Sequence, residues 1–387
     1  MKRTIIIADD KIPFLHGIME EDVDVRYLPG AKISAQDVKD ADALFTRTRT
    51  ICNEALLKES NIKLICTATI GYDHIDTEYC DRTDIKWVNA PGCNSSSVQQ
   101  YIAAAIMTLI HEKNLKINDL TLGIIGVGNV GSKVAKAAEA LGIRVLLNDP
   151  PKQEAQNAGQ ETPETAYHFI GLDELLAESD IVTCHVPLEK EGKYPTYHLA
   201  NEDFFSKMKQ NAVFINSSRG TVTDSAALKQ AAETKLSTFM LDVWEGEPNI
   251  DKFLLHNAFV STPHIAGYSA DGKANGTAAC IHEFADFFGF EKWKNWYPEH
   301  VPAPPMNTTI LLDGKNKTAE QIYYEAITHT YPIWEDSDRL KSFPEKFEEL
   351  RGKYWIRREF KNFSIKQQNV DNEILNSLEK IGFNIEA

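Results

Sequence analysis

The stretch Thr121-Leu-Gly-Ile-Ile-Gly-Val-Gly-Asn-Val-Gly131 decides the fold. Leu122 to Val127 is an apolar, β-branched run of the kind that fills a buried parallel strand. It breaks into Gly126-x-Gly128-x-x-Gly131, and Val130, Val134, Ala137, Ala138 and Leu141 then recur at helical spacing. Gly126 permits a tight turn, Gly128 lets backbone approach a pyrophosphate, and Gly131 lets the helix pack closely on the strand. The first N–H groups of such a helix favour an anion there. A second apolar run from Arg144 ends in Asp149, about twenty residues past the last glycine, where an acid receives ribose hydroxyls. The stretch therefore predicts a dinucleotide site, and Asp149 favours NAD because it would repel a 2′-phosphate, an effect tempered by Lys152.

The rest of the composition fits an ordinary globular chain of two or three domains: 387 residues, 43% hydrophobic and 25% charged. A net charge of −15 argues against nucleic acid or an anionic membrane as partner, because both require a basic footprint. An anionic substrate would then need local cations. No apolar run is long enough for a transmembrane helix, and the short apolar run after Lys2-Arg3 meets Asp9-Asp10, so it reads as a strand rather than a signal peptide. The six cysteines are scattered without a CxxC pair, which predicts reduced thiols and a cytoplasmic home. Asp73-His74-x-Asp76 has metal-ligand types but reads as a turn, and no metal is expected.

Strands are predicted at 4–9, before Thr46-Arg-Thr-Arg-Thr50, at 63–69 and at 86–89, with a helix from Asn53 to Ser60. This alternation predicts a small doubly wound α/β unit whose strand ends, near Thr48 and Thr69, face a crevice. Residues 95–114 form a long helix leading into the glycine-rich strand. Beyond Asp149 and a polar insert at 151–168, strands are predicted at 180–187, 212–216, 236–243 and 258–261. A helix over 269–290 returns to the first lobe. After the proline-rich Glu299-His-Val-Pro-Ala-Pro-Pro305, residues 306–387 read as a strand, a helix from Ala319, an acidic-basic stretch, a strand over 359–364 and a helix over 372–381. This appended segment suggests an interaction or dimerisation module.

Arg219, Glu247 and His264 each follow a separate strand. Ends of that kind line the ligand crevice of an open α/β sheet. A cofactor that accepts hydride leaves a substrate hydroxyl proton to be removed. Histidine suits that task near neutral pH when a carboxylate fixes its tautomer, and arginine offers a planar fork for a carboxylate. His185, beside Pro187, is expected to pack rather than move protons.

Four segments together, Ile125-Gly-Val-Gly-Asn-Val-Gly131, Asn216-Ser-Ser-Arg-Gly220, Leu241-Asp-Val-Trp-Glu-Gly-Glu-Pro248 and Thr262-Pro-His-Ile-Ala-Gly267, resemble the D-isomer-specific 2-hydroxy acid dehydrogenases over roughly residues 1–290. The resemblance implies an NAD-dependent oxidoreductase with Arg219, Glu247 and His264 as its catalytic set. It implies Gly126, Gly128, Asn129, Val130, Gly131, Asp149, Val186, Ser217, Ser218, Asp242 and Gly267 around NAD. It implies Thr48, Thr69 and Tyr268 at a small phosphorylated 2-hydroxy acid, whose phosphate needs a cation such as Arg47. It further implies a flavodoxin-like substrate-binding lobe (1–94 with 266–290), a Rossmann NAD-binding domain (95–265) and a C-terminal α+β domain (291–387) through which a homodimer forms. Other members of the family, acting on phosphoglycerate or glycerate, and a non-catalytic NAD-sensing corepressor type are the alternatives.

Overall fold

The computed structural model describes residues 3–160 and 167–386, so that part of the polar insert lies outside the described residues. The chain divides into two units, residues 1–94 with 269–303 and residues 95–268 with 304–387.

The first unit carries five parallel strands: β1 (Ile5–Asp9), β2 (Asp24–Leu28), β3 (Ala43–Thr46), β4 (Leu64–Thr67) and β5 (Lys86–Val88). Their order, β2-β1-β3-β4-β5, is the flavodoxin-like doubly wound order. The two-residue period of a strand sorts the side chains. Ile6, Ala8, Phe45 and Cys66 pack on one face against Ile281 and Phe284 of the helix Ala270–Phe288. Ile5, Ile7, Leu44 and Ile65 fill the other face with Leu56, Leu57 and Tyr79. The predicted helix after Asn53 is shorter than expected, Glu54–Leu57, with the Asn53 side chain accepting from the Leu56 N–H. β2, an edge strand, is half-buried throughout, with Val25 and Tyr27 against the core and Asp24 and Arg26 alternating with them.

The second unit holds β6 (Thr121–Ile125), β7 (Arg144–Asn148), β8 (Ile181–Cys184), β9 (Val213–Asn216), β10 (Thr238–Leu241) and β11 (Val260–Ser261), all parallel, in the order β11-β10-β9-β8-β6-β7. This is the predicted Rossmann sheet. The chain moves from β6 to β7 on one side and then returns to β8 on the other, so β6 marks the switch point where ligands bind. Where a further strand beside β7 would run, Phe169 makes a single bridge to Leu147. Helices Ser95–Lys113 and Gly131–Leu141 cover one face together with Ile124, Ile215 and Met240. The long helix is buried almost all round; it is apolar from Tyr101 to Met107, and its buried Ser97 and Gln100 are hydrogen-bonded to Ala266 and Thr330.

The appended segment adds a three-stranded parallel sheet, β12 (Thr309–Asp313), β13 (Ser364–Gln368) and β14 (Asn384–Ile385). Its Ile310, Ile327, Phe363 and Leu378 belong to the same core as Ile102 and Ile106 of the long helix. The strand expected over 359–364 is not formed. Phe360 and Phe363 are both buried, and their spacing of three suits the tight 3₁₀ turn Phe360–Asn362 that precedes β13. The acidic-basic stretch is also ordered, as helices Ile333–Ser342 and Phe347–Gly352. Ion pairs along them, Arg339 with Glu335 and Lys353 with Glu349, hide the apolar stripe from a reading of composition. No helix among the described residues is long and apolar enough to cross a membrane.

Candidate active site

The glycine-rich turn leaves β6 at Gly126, whose φ of +85° suits a residue without Cβ. A Cβ at Gly131 would lie 2.0 Å from the Gly126 carbonyl oxygen, so only glycine allows the helix to start so close to the strand. At Gly128 a Cβ would meet nothing within 4 Å, which leaves the backbone open to an approaching group. The helix begins at Gly131 without a side-chain cap from Val130; the Ser132 and Lys133 N–H groups donate to the Gly128 and Val130 carbonyls at 3.0 Å, and the positive end of the helix faces the glycine turn, which favours an anion there. Asn129 is exposed, and Val130 and Val186 are half-buried.

Asp149 stands at the end of β7. Its Oδ2 accepts from the Val127 N–H at 2.8 Å and its Oδ1 from the Lys152 N–H at 3.2 Å, which ties the acid to the glycine turn and caps the helix Pro150–Asn157. The Lys152 ammonium donates to the Val127 carbonyl at 2.7 Å, so it is held beside the same turn. At the end of β9, Ser218 bonds twice to Asn216 Oδ1, whereas the buried Ser217 hydroxyl has no partner among the described residues. An orphaned buried hydroxyl, an open glycine and an uncapped helix start fit a dinucleotide. His185 bonds to Thr183 at 3.1 Å, and burial pushes its pKa down to about 3, so it stays neutral.

The loop after β11 carries His264. Its Nδ1 lies 2.8 Å from Glu247 Oε2. A carboxylate can only accept, so Nδ1 carries the hydrogen and Nε2 is left as the acceptor. Glu247 Oε1 accepts from the Trp244 N–H at 2.8 Å. Burial pushes the Glu247 carboxyl up, but the bond and charge of His264 and the Trp244 N–H outweigh it and hold the group below the usual carboxylate value. His264 has a φ of +57°, a conformation uncommon for a residue with a Cβ. Asp242 fixes this bend. Its backbone carbonyl accepts from the His264 N–H at 2.7 Å. Its fully buried carboxylate accepts from Thr262 Oγ1, the Ile265 N–H and the Ala266 N–H at 2.7 to 2.9 Å. Gly267 and Tyr268 follow on the same loop, and the Tyr268 N–H donates to the Ile265 carbonyl at 2.9 Å.

Arg219 sits at the head of the 3₁₀ turn Gly220–Val222, with one nitrogen donating to the Ser218 carbonyl at 2.9 Å. A Cβ at Gly220 would lie 2.0 Å from the Trp244 carbonyl oxygen, so glycine lets the Arg219 loop press against the loop that carries Glu247. In the first unit, Arg47, Thr48 and Thr69 lie together at the C-terminal end of the sheet. Thr67 Oγ1 donates to the Arg47 carbonyl at 3.3 Å and is 2.8 Å from Thr69 Oγ1, which ties the β3 and β4 ends. Thr48 is exposed, and Arg47 donates to the Lys11 carbonyl at 3.2 Å. Asp76 caps the helix Thr77–Arg82, and burial pushes His74 down to about 4. Among the described residues no group of three metal-ligating side chains gathers.

Two residues of the appended segment reach the His264 loop, and the sequence reading did not single them out. Arg357, completely buried, donates to the Ile265 and Ala266 carbonyls and to Ser97 Oγ, and stacks over Tyr331. Arg351 donates to the Tyr268 hydroxyl at 3.2 Å. No periodicity or spacing could find them, since nearly ninety residues separate each from its partner.

Fold and site together define an α/β dehydrogenase in which a dinucleotide turn is joined to a histidine–carboxylate pair. Residues 97–266 match the family described as D-isomer specific 2-hydroxyacid dehydrogenase, NAD binding domain, and residues 301–382 match a domain of unknown function. Erythronate-4-phosphate dehydrogenase of Bacteroides thetaiotaomicron is 48% identical over 362 residues, covering 93% of this chain and 98% of its own. The enzyme of that name from Proteus mirabilis is 35% identical and covers 98% of both chains. The solved D-lactate dehydrogenase of Aquifex aeolicus, complexed with NAD and lactic acid, superposes with a TM-score of 0.58 at 26% identity over 78% of this chain and 100% of that one. The chain belongs to the erythronate-4-phosphate dehydrogenases, within the D-isomer specific 2-hydroxyacid dehydrogenases, and is an NAD-dependent oxidoreductase.

Proposed function

We propose that the chain oxidises 4-phospho-D-erythronate to 2-oxo-3-hydroxy-4-phosphobutanoate, a step of pyridoxal 5′-phosphate (vitamin B6) biosynthesis. The observation that carries the reading is the His264–Glu247 pair on the loop after β11, in a chain so similar to enzymes of that name.

Gly126, Gly128, Asn129, Val130 and Gly131 would hold the pyrophosphate of NAD, with Asp149 at a ribose. Val186, Ser217, Ser218, Asp242 and Gly267 would line the remainder. When bound, NAD supplies an acceptor for the hydride that leaves C2. His264 Nε2 takes the C2 hydroxyl proton, and Glu247 keeps Nδ1 protonated and stabilises the imidazolium that forms. Arg219 holds the carboxylate and the oxygen that becomes a ketone. Asp242 works through its three accepted bonds, which keep His264 in its bend. Thr48, Thr69 and Tyr268, with Arg47, are assigned to the substrate.

We place the enzyme in the cytoplasm as a homodimer joined through the C-terminal segment. Support for the second point is Leu311, which is 76% exposed on the edge strand β12. The decisive measurement is NADH formation from 4-phospho-D-erythronate against 3-phospho-D-glycerate and D-glycerate. The phosphoerythronate should give the highest kcat/KM, and equal or better turnover of either other acid would replace the substrate. No turnover of any of the three, with NAD still bound, would favour a sensing role.

A further inference from the structure

We propose that Arg351, from the segment that matches a domain of unknown function, binds the phosphate of the 2-hydroxy acid substrate. The inference rests on the reading given above.

Arg351 is positioned by its own short helix. Phe347, one turn earlier, is buried in the core beside Leu254 and Leu255, and the Arg351 guanidinium lies over its ring at 5.9 Å. The guanidinium also lies 5.7 Å from the centre of the Tyr268 ring and donates to its hydroxyl at 3.2 Å. Tyr268 is four residues past His264 on the loop that Asp242 organises. Glu247 is close enough for Arg351 to contribute to its lowered pKa, so the cation stands within electrostatic reach of the proton-transfer pair.

The fork is only partly used. One terminal nitrogen pairs with Glu348 at 3.3 Å and the other with Tyr268, while Nε is buried without a partner among the described residues. A buried N–H left without an acceptor is costly, and a phosphate oxygen is an acceptor of the right strength. Glu348 is no strong competitor, since its side chain is 43% exposed and the pair is an i,i+3 surface contact. In a chain of net charge −15, an anionic substrate needs a cation at the site, and a planar guanidinium meets two phosphate oxygens at once. Lactate, the ligand of the solved dehydrogenase that spans 78% of this chain, bears no phosphate. The appended segment thus brings a phosphate-binding group to a general 2-hydroxy acid site.

The test uses the full chain with Arg351→Gln and Arg351→Lys, and compares 4-phospho-D-erythronate with D-erythronate. Arg351→Gln should lower kcat/KM for the phosphate ester by about 10–100-fold, mainly through KM, and change D-erythronate turnover by less than about threefold. Arg351→Lys should fall between. Inorganic phosphate should compete with 4-phospho-D-erythronate in the unaltered protein and lose that effect in Arg351→Gln. NADH binding, followed by fluorescence, controls for folding, and Arg351→Lys carries the comparison if the glutamine variant fails it. An equal loss on both substrates, or no loss on either, overturns the assignment. If the unaltered protein prefers the phosphate ester and Arg351→Gln is indifferent, this proposal alone fails. If the unaltered protein ignores both the ester and inorganic phosphate, the functional reading fails with it.

Discussion

Glu247 holds His264 by Nδ1 at 2.8 Å, and its second oxygen is fixed by the Trp244 N–H at the same distance. The carboxylate is therefore clamped between backbone and imidazole, and the tautomer that leaves Nε2 as acceptor is set before substrate arrives.

In the proposed mechanism, removing the His264 imidazole removes the base. His264→Ala should lower kcat by about two to four decades, the usual size of a general acid–base contribution. NAD affinity, measured by fluorescence titration, should hardly change. Turnover near that of the unaltered protein would exclude His264 from proton transfer.

The clamp also predicts a pH signature in stability. Because the Glu247 pKa is lowered in the folded state, its contribution is complete above the unfolded value of about 4.5 and is lost as pH falls through the lower folded value. Glu247→Gln should therefore be less stable by about 1–3 kcal/mol at pH 7, and the gap should close in acid. Urea midpoints at pH 7 and near pH 4 give the comparison, and a gap that widens in acid would refute the sign.

Asp242 accepts from three donors with one buried carboxylate. In Asp242→Asn, an amide N–H₂ must face at least one of those donors. Thermal unfolding should reveal a loss of about 2 kcal/mol or more, and kcat should fall because the His264 bend loosens. Full stability with normal turnover would show that the loop is held by something else.

Both the fold and much of the site were legible in the sequence because their signals are local. Gly126, Gly128 and Gly131 lie within six residues, and the buried parallel strands are apolar on both faces. Arg219, Glu247 and His264 could be singled out as candidates because each follows a strand, and the position of a strand end follows from where an apolar run stops. What was hidden lies across the chain. Arg351 and Arg357 serve a loop about ninety residues earlier, and only packing brings them there. Over 359–364 the two aromatics suggest a strand, whereas burial of both Phe360 and Phe363 at a spacing of three is met by a 3₁₀ turn.

Association should be visible in the C-terminal segment. Sedimentation of the whole chain should give a dimer, and Leu311→Glu should weaken it by placing a charge on the edge of β12. A dimer with unchanged dissociation constant would locate the contact on another face.

Arg357 gives its hydrogens to the carbonyls of Ile265 and Ala266, the two residues that follow His264. Order in the C-terminal segment and order in the His264 loop are thus coupled. A ligand that steadies the loop steadies the segment by the coupling free energy between them. Amide hydrogens around Arg357 should then exchange with solvent more slowly when NAD or substrate is bound, so occupancy can be read out from amides that touch neither molecule.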